Sequence, residues 1–112
     1  MKMITAIIKP YRLDDVLGAL DKIGILGLTA TEVKGYGQQK GQIDPELSSG
    51  RDINFLPKVK LEIAAPDEKV SEIVETIQSS AETGKIGDGK IFVLSLEKTI
   101  RIRTGEEDRQ AV

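Results

Sequence analysis

Thr83-Gly84-Lys85-Ile86-Gly87-Asp88-Gly89-Lys90, continuing directly into Ile91-Phe92-Val93-Leu94-Ser95-Leu96, is the stretch that decides which fold this chain can adopt. Three glycines and two lysines within eight residues form a loop whose backbone N–H groups can approach a ligand closely and whose charge favours an anion. A polyphosphate is the natural candidate. Gly84 to Lys90 fits the spacing Gly-x-x-x-x-Gly-Lys, but Ile91 stands where a P-loop carries Ser or Thr for magnesium, and an apolar strand pattern follows in place of a helix. The loop therefore feeds a strand and is no Walker A, although it can use the same physics. A glycine-rich hairpin with solvated lysines fits the same residues, so two readings stand at this level.

Outward from the loop, the periodicities alternate. Ile91 to Leu96 is a near-continuous apolar run, the pattern of a strand buried on both faces. Upstream, Val70, Ile73, Val74 and Ile77 form a helical stripe that opens at Pro66-Asp67, with Asp67 as the expected N-cap and Ser79-Ser80 fraying the far end. Val59, Leu61 and Ile63 alternate with Lys58, Lys60 and Glu62, a strand with one apolar face. Met3 to Lys9 reads as a first strand closed by Pro10, and Leu13, Val16, Leu17, Leu20 and Ile23 as a helix ended by Gly24. Leu28 to Gly37 reads as a further strand, and Thr99 to Arg103 as a last extended piece with Arg101 and Arg103 on one side. Strand, helix, strand, strand, helix, strand is the ferredoxin-like βαββαβ arrangement, an α+β sandwich. Two helices cover only one face of such a sheet, so the apolar residues on the other face call for further copies of the chain.

Between Gly35-Tyr36-Gly37 and Asn54 lies a polar segment with almost nothing to bury. Loops of this length in compact domains are uncommon and usually functional, which points to a binding loop, with a passive surface excursion as the alternative. The cationic candidates are equally two-sided: Lys90, Arg101 and Arg103 suit phosphate oxygens, but Arg101 and Arg103 also fit a solvated strand face and Lys58 an outward strand lysine.

Composition narrows the chemistry further. The chain's 112 residues fit one domain, with 39% hydrophobic and 30% charged residues and no apolar run long enough to span a bilayer. Met1-Lys2 leads into a strand-like run without a cleavage pattern, so no signal peptide and a cytoplasmic location are expected. Absence of cysteine and histidine removes disulfides, thiol nucleophiles, imidazole bases and the usual zinc ligands, leaving hard oxygen-liganded ions such as magnesium. A net charge of −2 and only four aromatics, Tyr11, Tyr36, Phe55 and Phe92, argue against direct nucleic-acid binding. Asp88 is the one acid in the glycine loop, a thin basis for catalysis, and no enzyme is expected.

Several segments together resemble the PII nitrogen-regulatory signal-transduction family: Met1 to Pro10, Thr31 to Gly37, Phe55 to Lys60, Thr83 to Phe92 and Ile100 to Glu106. The resemblance runs end to end, and its signatures at Thr83–Lys90 and Arg101–Glu106 are the specific ones. It implies a homotrimer of ferredoxin-like subunits, residues 1–112 forming one domain, with a flexible T-loop at about 37–55, a B-loop at about 82–90 and a C-loop at about 101–112. Clefts between neighbours would bind ATP or ADP competitively. Thr29, Glu62 and the backbone near Ala64 would line the adenine pocket. Gly35, Gly37, Gly87, Asp88, Gly89 and Lys90, with Arg101 and Arg103 of an adjacent subunit, would hold the phosphates. With Mg-ATP bound, Gln39 would help ligate magnesium beside 2-oxoglutarate, which Lys40, Gly41 and Lys58 would contact.

The family's mode of action implies a regulated enzyme, transporter or transcription regulator as partner, met through the T-loop, with membranes involved only indirectly through a transporter. Departures from the family pattern fall in that loop. Arg51 stands where uridylylated members carry tyrosine, which removes that modification; Ser49 falls where some cyanobacterial members are phosphorylated and is the candidate modification site. Leu47 replaces an arginine used by members that plug ammonium channels, and Gln38 a frequent arginine near the terminal phosphate. The alternative reading is a divergent paralogue that senses adenine nucleotides alone and controls a different transporter or enzyme.

Overall fold

The computed structural model describes residues 1–37 and 55–112, so Gln38, Gln39, Lys40, Gly41, Leu47, Ser49 and Arg51 lie outside the described residues. Six main elements follow in order: β1 (Lys2–Ile8), α1 (Leu13–Lys22), β2 (Thr29–Gly35), β3 (Leu56–Ala65), α2 (Val70–Ala81) and β4 (Lys90–Ser95). The strands form one antiparallel sheet in the order β2-β3-β1-β4, the ferredoxin-like arrangement. Each central strand turns one alternating set of apolar residues toward the helices. Ile4, Ala6 and Ile8 of β1 and Val59, Leu61, Ile63 and Ala65 of β3 are buried against Val16 and Leu20 of α1 and Ile73 and Ile77 of α2. These side chains are the core, and truncating one such as Ile73 to Ala should cost about 2–5 kcal/mol.

Several local expectations are corrected. Asp67 makes no cap hydrogen bond; a short 3-10 turn, Asp67–Lys69, precedes α2, and the Asp67 carboxylate instead pairs with the Met1 ammonium at 2.9 Å. Ser79 and Ser80 do not fray α2, because both hydroxyls donate back to the Thr76 carbonyl inside the helix, which runs to Ala81. The helix end is closed from outside: Arg12 donates through Nε (3.1 Å) and Nη2 (2.5 Å) to the Ser80 carbonyl.

β4 is not buried on both faces. It is the sheet edge, where Phe92, Val93 and Leu94 stay about half exposed and Ile91 alone packs onto the core. A continuous apolar run fits a doubly covered strand, but among the described residues no strand pairs beyond this edge. Thr99 to Arg103 is likewise no strand. Ile100 makes an isolated bridge to Glu107, the Arg101 N–H donates to the Glu106 carbonyl at 2.9 Å, and the chain turns back through residues 102–104. Asp108, at φ 53°, closes this return by accepting from the Thr99 N–H and donating its own N–H to the Thr99 carbonyl.

Candidate functional site

The glycine loop lies between the C-terminus of α2 and the start of β4, so its position is fixed by the helix end that Arg12 closes and by the pairing of Lys90 with Ile7. Its internal shape is set by Asp88. That carboxylate accepts from the N–H groups of Thr83 (2.8 Å) and Gly84 (2.9 Å) and from the Thr83 hydroxyl. The Lys9 ammonium completes the knot, 3.1 Å from Thr83 Oγ1 and 3.2 Å from Asp88 Oδ1. With this many donors to its charged form, the Thr83 hydroxyl first, the Asp88 carboxyl is held well below the usual carboxylate range against the opposing effect of burial. The Asp88 side chain is thus engaged within the loop, and what it offers a ligand is the loop's geometry.

Gly89 is where the loop meets the sheet. At φ +97° it adopts a backbone that L side chains rarely occupy, and a Cβ there would lie 1.7 Å from the Ile7 carbonyl oxygen. Only glycine lets the chain pass this close to β1. Gly35 sits against the Lys58 stem, where a Cβ would come 3.0 Å from Cγ.

A cleft of about 770 Å³ opens beside the loop at one end of the sheet. It gathers Gly35, Gly37, Lys58, Gly87, Asp88, Gly89 and Lys90, residues 50 positions apart in places, onto one wall system. Lys58 is not the outward strand lysine that alternation allows: it is 7% exposed, and its ammonium donates to the Gly87 carbonyl at 2.5 Å. Burial lowers its pKa from the ordinary lysine value, Lys9 nearby lowers it further, and Asp88 acts in the opposite direction.

Thr29, Glu62 and Ala64 lie elsewhere. They line a second cleft of about 590 Å³ with Gly24–Leu28 and the C-terminal Arg109, Ala111 and Val112. The two clefts share a strand. Positions 58, 60, 62 and 64 of β3 all point away from the helices, because 59, 61, 63 and 65 point into the core. Lys58 and Glu62 therefore stand on one face about 13 Å apart along the strand. Thr29 is the direct cross-strand partner of Glu62, and Lys60 bridges to Glu62 at 3.9 Å.

Arg101 and Arg103 join neither cleft within one chain. Arg101 reaches Glu106 (3.4 Å) and the Ala111 carbonyl, and Arg103 projects from the exposed turn. Lys85 lines a smaller recess with Lys9, Tyr11 and Lys58. Sequence reasoning missed Lys9 and Arg12 altogether. Nothing in the local pattern marks a lysine at a strand end or an arginine at a helix start as the partner of a loop some 70 residues away. Among the described residues no group of three or more His, Cys, Asp or Glu converges to hold a metal, and no helix is long and apolar enough to cross a membrane.

Together these features define a class: a ferredoxin-like α+β chain with a carboxylate-braced glycine loop and a cationic cleft at one sheet end. Known proteins agree with it. The family model for nitrogen regulatory protein P-II matches residues 1–106. Nitrogen regulatory protein GlnK of Escherichia coli (strain K12) is 53% identical over 112 residues, covering all of both chains. Nitrogen regulatory protein P-II 1 of the same strain, and that of Salmonella typhimurium (strain LT2), are 56% identical over the same full lengths. The chain belongs to the P-II family of nitrogen regulatory signalling proteins.

Proposed function

We propose that this chain is a non-enzymatic sensor that binds ATP or ADP and, with Mg-ATP, 2-oxoglutarate, and reports the bound state to partner proteins through the 37–55 segment. The observation that carries the reading is the outer face of β3. Glu62, an acceptor for an exocyclic amine, and Lys58, beside the glycine loop, stand at opposite ends of one strand face. A ligand with a base at one end and a polyphosphate at the other complements that polarity. Thr29, Glu62 and Ala64 would receive the base. Gly35, Gly37, Gly87, Gly89 and Lys90 would receive the phosphates, their N–H groups and the Lys90 ammonium supplying charge-assisted bonds.

Arg101 and Arg103 would complete the site from a neighbouring copy in a homotrimer, which would also cover the apolar edge of β4. Gln39 would join magnesium and 2-oxoglutarate, with Lys40, Gly41 and Lys58 contacting the acid. Lys58 would have to leave the Gly87 carbonyl to pair with a ligand carboxylate, so dicarboxylate binding and loop shape would be linked. The chain acts as one domain in the cytoplasm on this reading, its target an enzyme, transporter or transcription regulator, and Ser49 remains the candidate modification site.

Calorimetric titration tests it. ATP and ADP should bind competitively, and 2-oxoglutarate should give heat only with Mg-ATP present. ATP binding without any 2-oxoglutarate response would favour the divergent, nucleotide-only reading, and absence of nucleotide binding would remove both.

A further inference from the structure

Among the described residues, Lys9 and Lys58 are the two charged side chains classed with the interior, each 7% exposed. A buried ammonium is costly unless it is paired. Among the described residues the Lys9 ammonium contacts the Asp88 carboxylate at 3.2 Å, and the Lys58 ammonium donates to the Gly87 carbonyl of the same loop. Among the described residues the Lys9 ammonium touches Thr83 and Asp88, the two residues that close the first turn of the glycine loop.

We infer that Lys9 is a positioning residue for the ligand's anion: it fixes, through Thr83 and Asp88, the glycine loop whose backbone the anion would meet. The inference rests on the anion-binding reading of the cleft. Lys9 does not touch the ligand in this scheme. Its effect passes through the loop backbone and through the carboxylate it engages.

A double-mutant cycle on the full chain, read by titration with ATP, separates this role from simple support of the fold. Lys9→Met and Asp88→Asn should each weaken ATP roughly tenfold or more, Lys9→Arg should recover most of the loss, and the double variant should be no worse than the weaker single one. Lys9→Gln serves if Lys9→Met fails to fold. ATP affinity within about twofold of the parent in a folded Lys9 variant, or independent, multiplying losses in the double variant, would overturn the inference. Hydrogen exchange without ligand supplies a readout that does not need nucleotide. The Thr83 and Gly84 amides should exchange faster in Lys9→Met while core amides such as that of Ile4 keep their protection. Unchanged exchange at Thr83 and Gly84 would sink the loop-bracing role. If the parent chain binds no ATP, the cleft reading fails while exchange still reports on Lys9.

Discussion

At the residue scale, Gly89 and Asp88 make the sharpest contrast between what a side chain does and what its absence permits. Gly89→Ala meets both a positive φ and the Ile7 carbonyl, whereas Gly84→Ala meets a positive φ of 79° and open space. Gly84→Ala should therefore cost about 1–2 kcal/mol of backbone strain, and Gly89→Ala clearly more, by about 1–3 kcal/mol of overpacking. Urea midpoints of the two variants check the order. Asp88 adds a pH signature. Its folded-state pKa is depressed, so its contribution is present above the unfolded value of roughly 3.9 and is lost as pH falls below it. The melting-temperature gap between the parent and Asp88→Asn should be widest near neutrality and should close on acidification. Lys58 has the opposite character: its lowered pKa means that the charged form is a cost to the fold at neutral pH, relieved as pH rises toward the ordinary lysine value. Lys58→Met should leave the unfolding midpoint unchanged or raise it and, if the proposed sensing role holds, should remove the heat of 2-oxoglutarate binding. A large fall in midpoint would show that the Gly87 contact matters more to stability than the burial of charge.

Elements explain why those residues meet. β3 was legible from alternation because a period of two, once one face is apolar, assigns every side chain of the strand; β1, apolar on both faces, was legible as a strand, and the structure decides that Ile4, Ala6 and Ile8 face the core. α1 and α2 were legible from their stripes, and Val16, Leu20, Ile73 and Ile77 are buried as the spacing requires. β4 was misread because the run Ile91–Leu96 reports apolar demand on both faces, not what fills it, and only the strand order shows that β4 is an edge. Half-exposed Phe92, Val93 and Leu94 on an edge strand are a liability for a lone chain and suit a covered interface. If the proposed homotrimer forms through this edge, Leu94→Asp should lower the apparent mass in light scattering toward the 12.2 kDa of one chain while far-ultraviolet circular dichroism keeps its shape. An oligomer unchanged by the substitution would place the contact elsewhere. Helix ends were the least legible part: Arg12 closes α2 from α1's side, and Arg12→Ala should cost about 1–2 kcal/mol and loosen the loop that follows.

For the whole molecule, the sheet acts as the frame that holds two chemically unlike ends at a fixed separation. Thr29, Glu62 and Ala64 stand at one end, and Lys58 with the glycine loop at the other, joined by the rigid face of β3. Arg101 and Arg103 stand apart from both clefts. If they act on a neighbour's ligand, a chain made monomeric at β4 should lose nucleotide affinity with residues 83–90 untouched. Measuring ATP binding by Leu94→Asp against its association state checks this, and full affinity in a monomer would confine the site to one chain.

By itself the sequence determined the βαββαβ order, the core faces of β3, α1 and α2, the glycine loop and the family, because each is written in local period or in contiguous residues. Only the tertiary structure decided that β4 is an edge, that Thr99–Arg103 turns back, that Lys58 is buried on Gly87, and that Lys9 meets Thr83, 74 positions away, and Asp88 beyond it. Periodicity tells a side chain which way to face. What it faces depends on elements distant in the chain, and the two lysine contacts that tie this loop to the sheet, Lys9 to Thr83 and Asp88 and Lys58 to Gly87, are of that second kind.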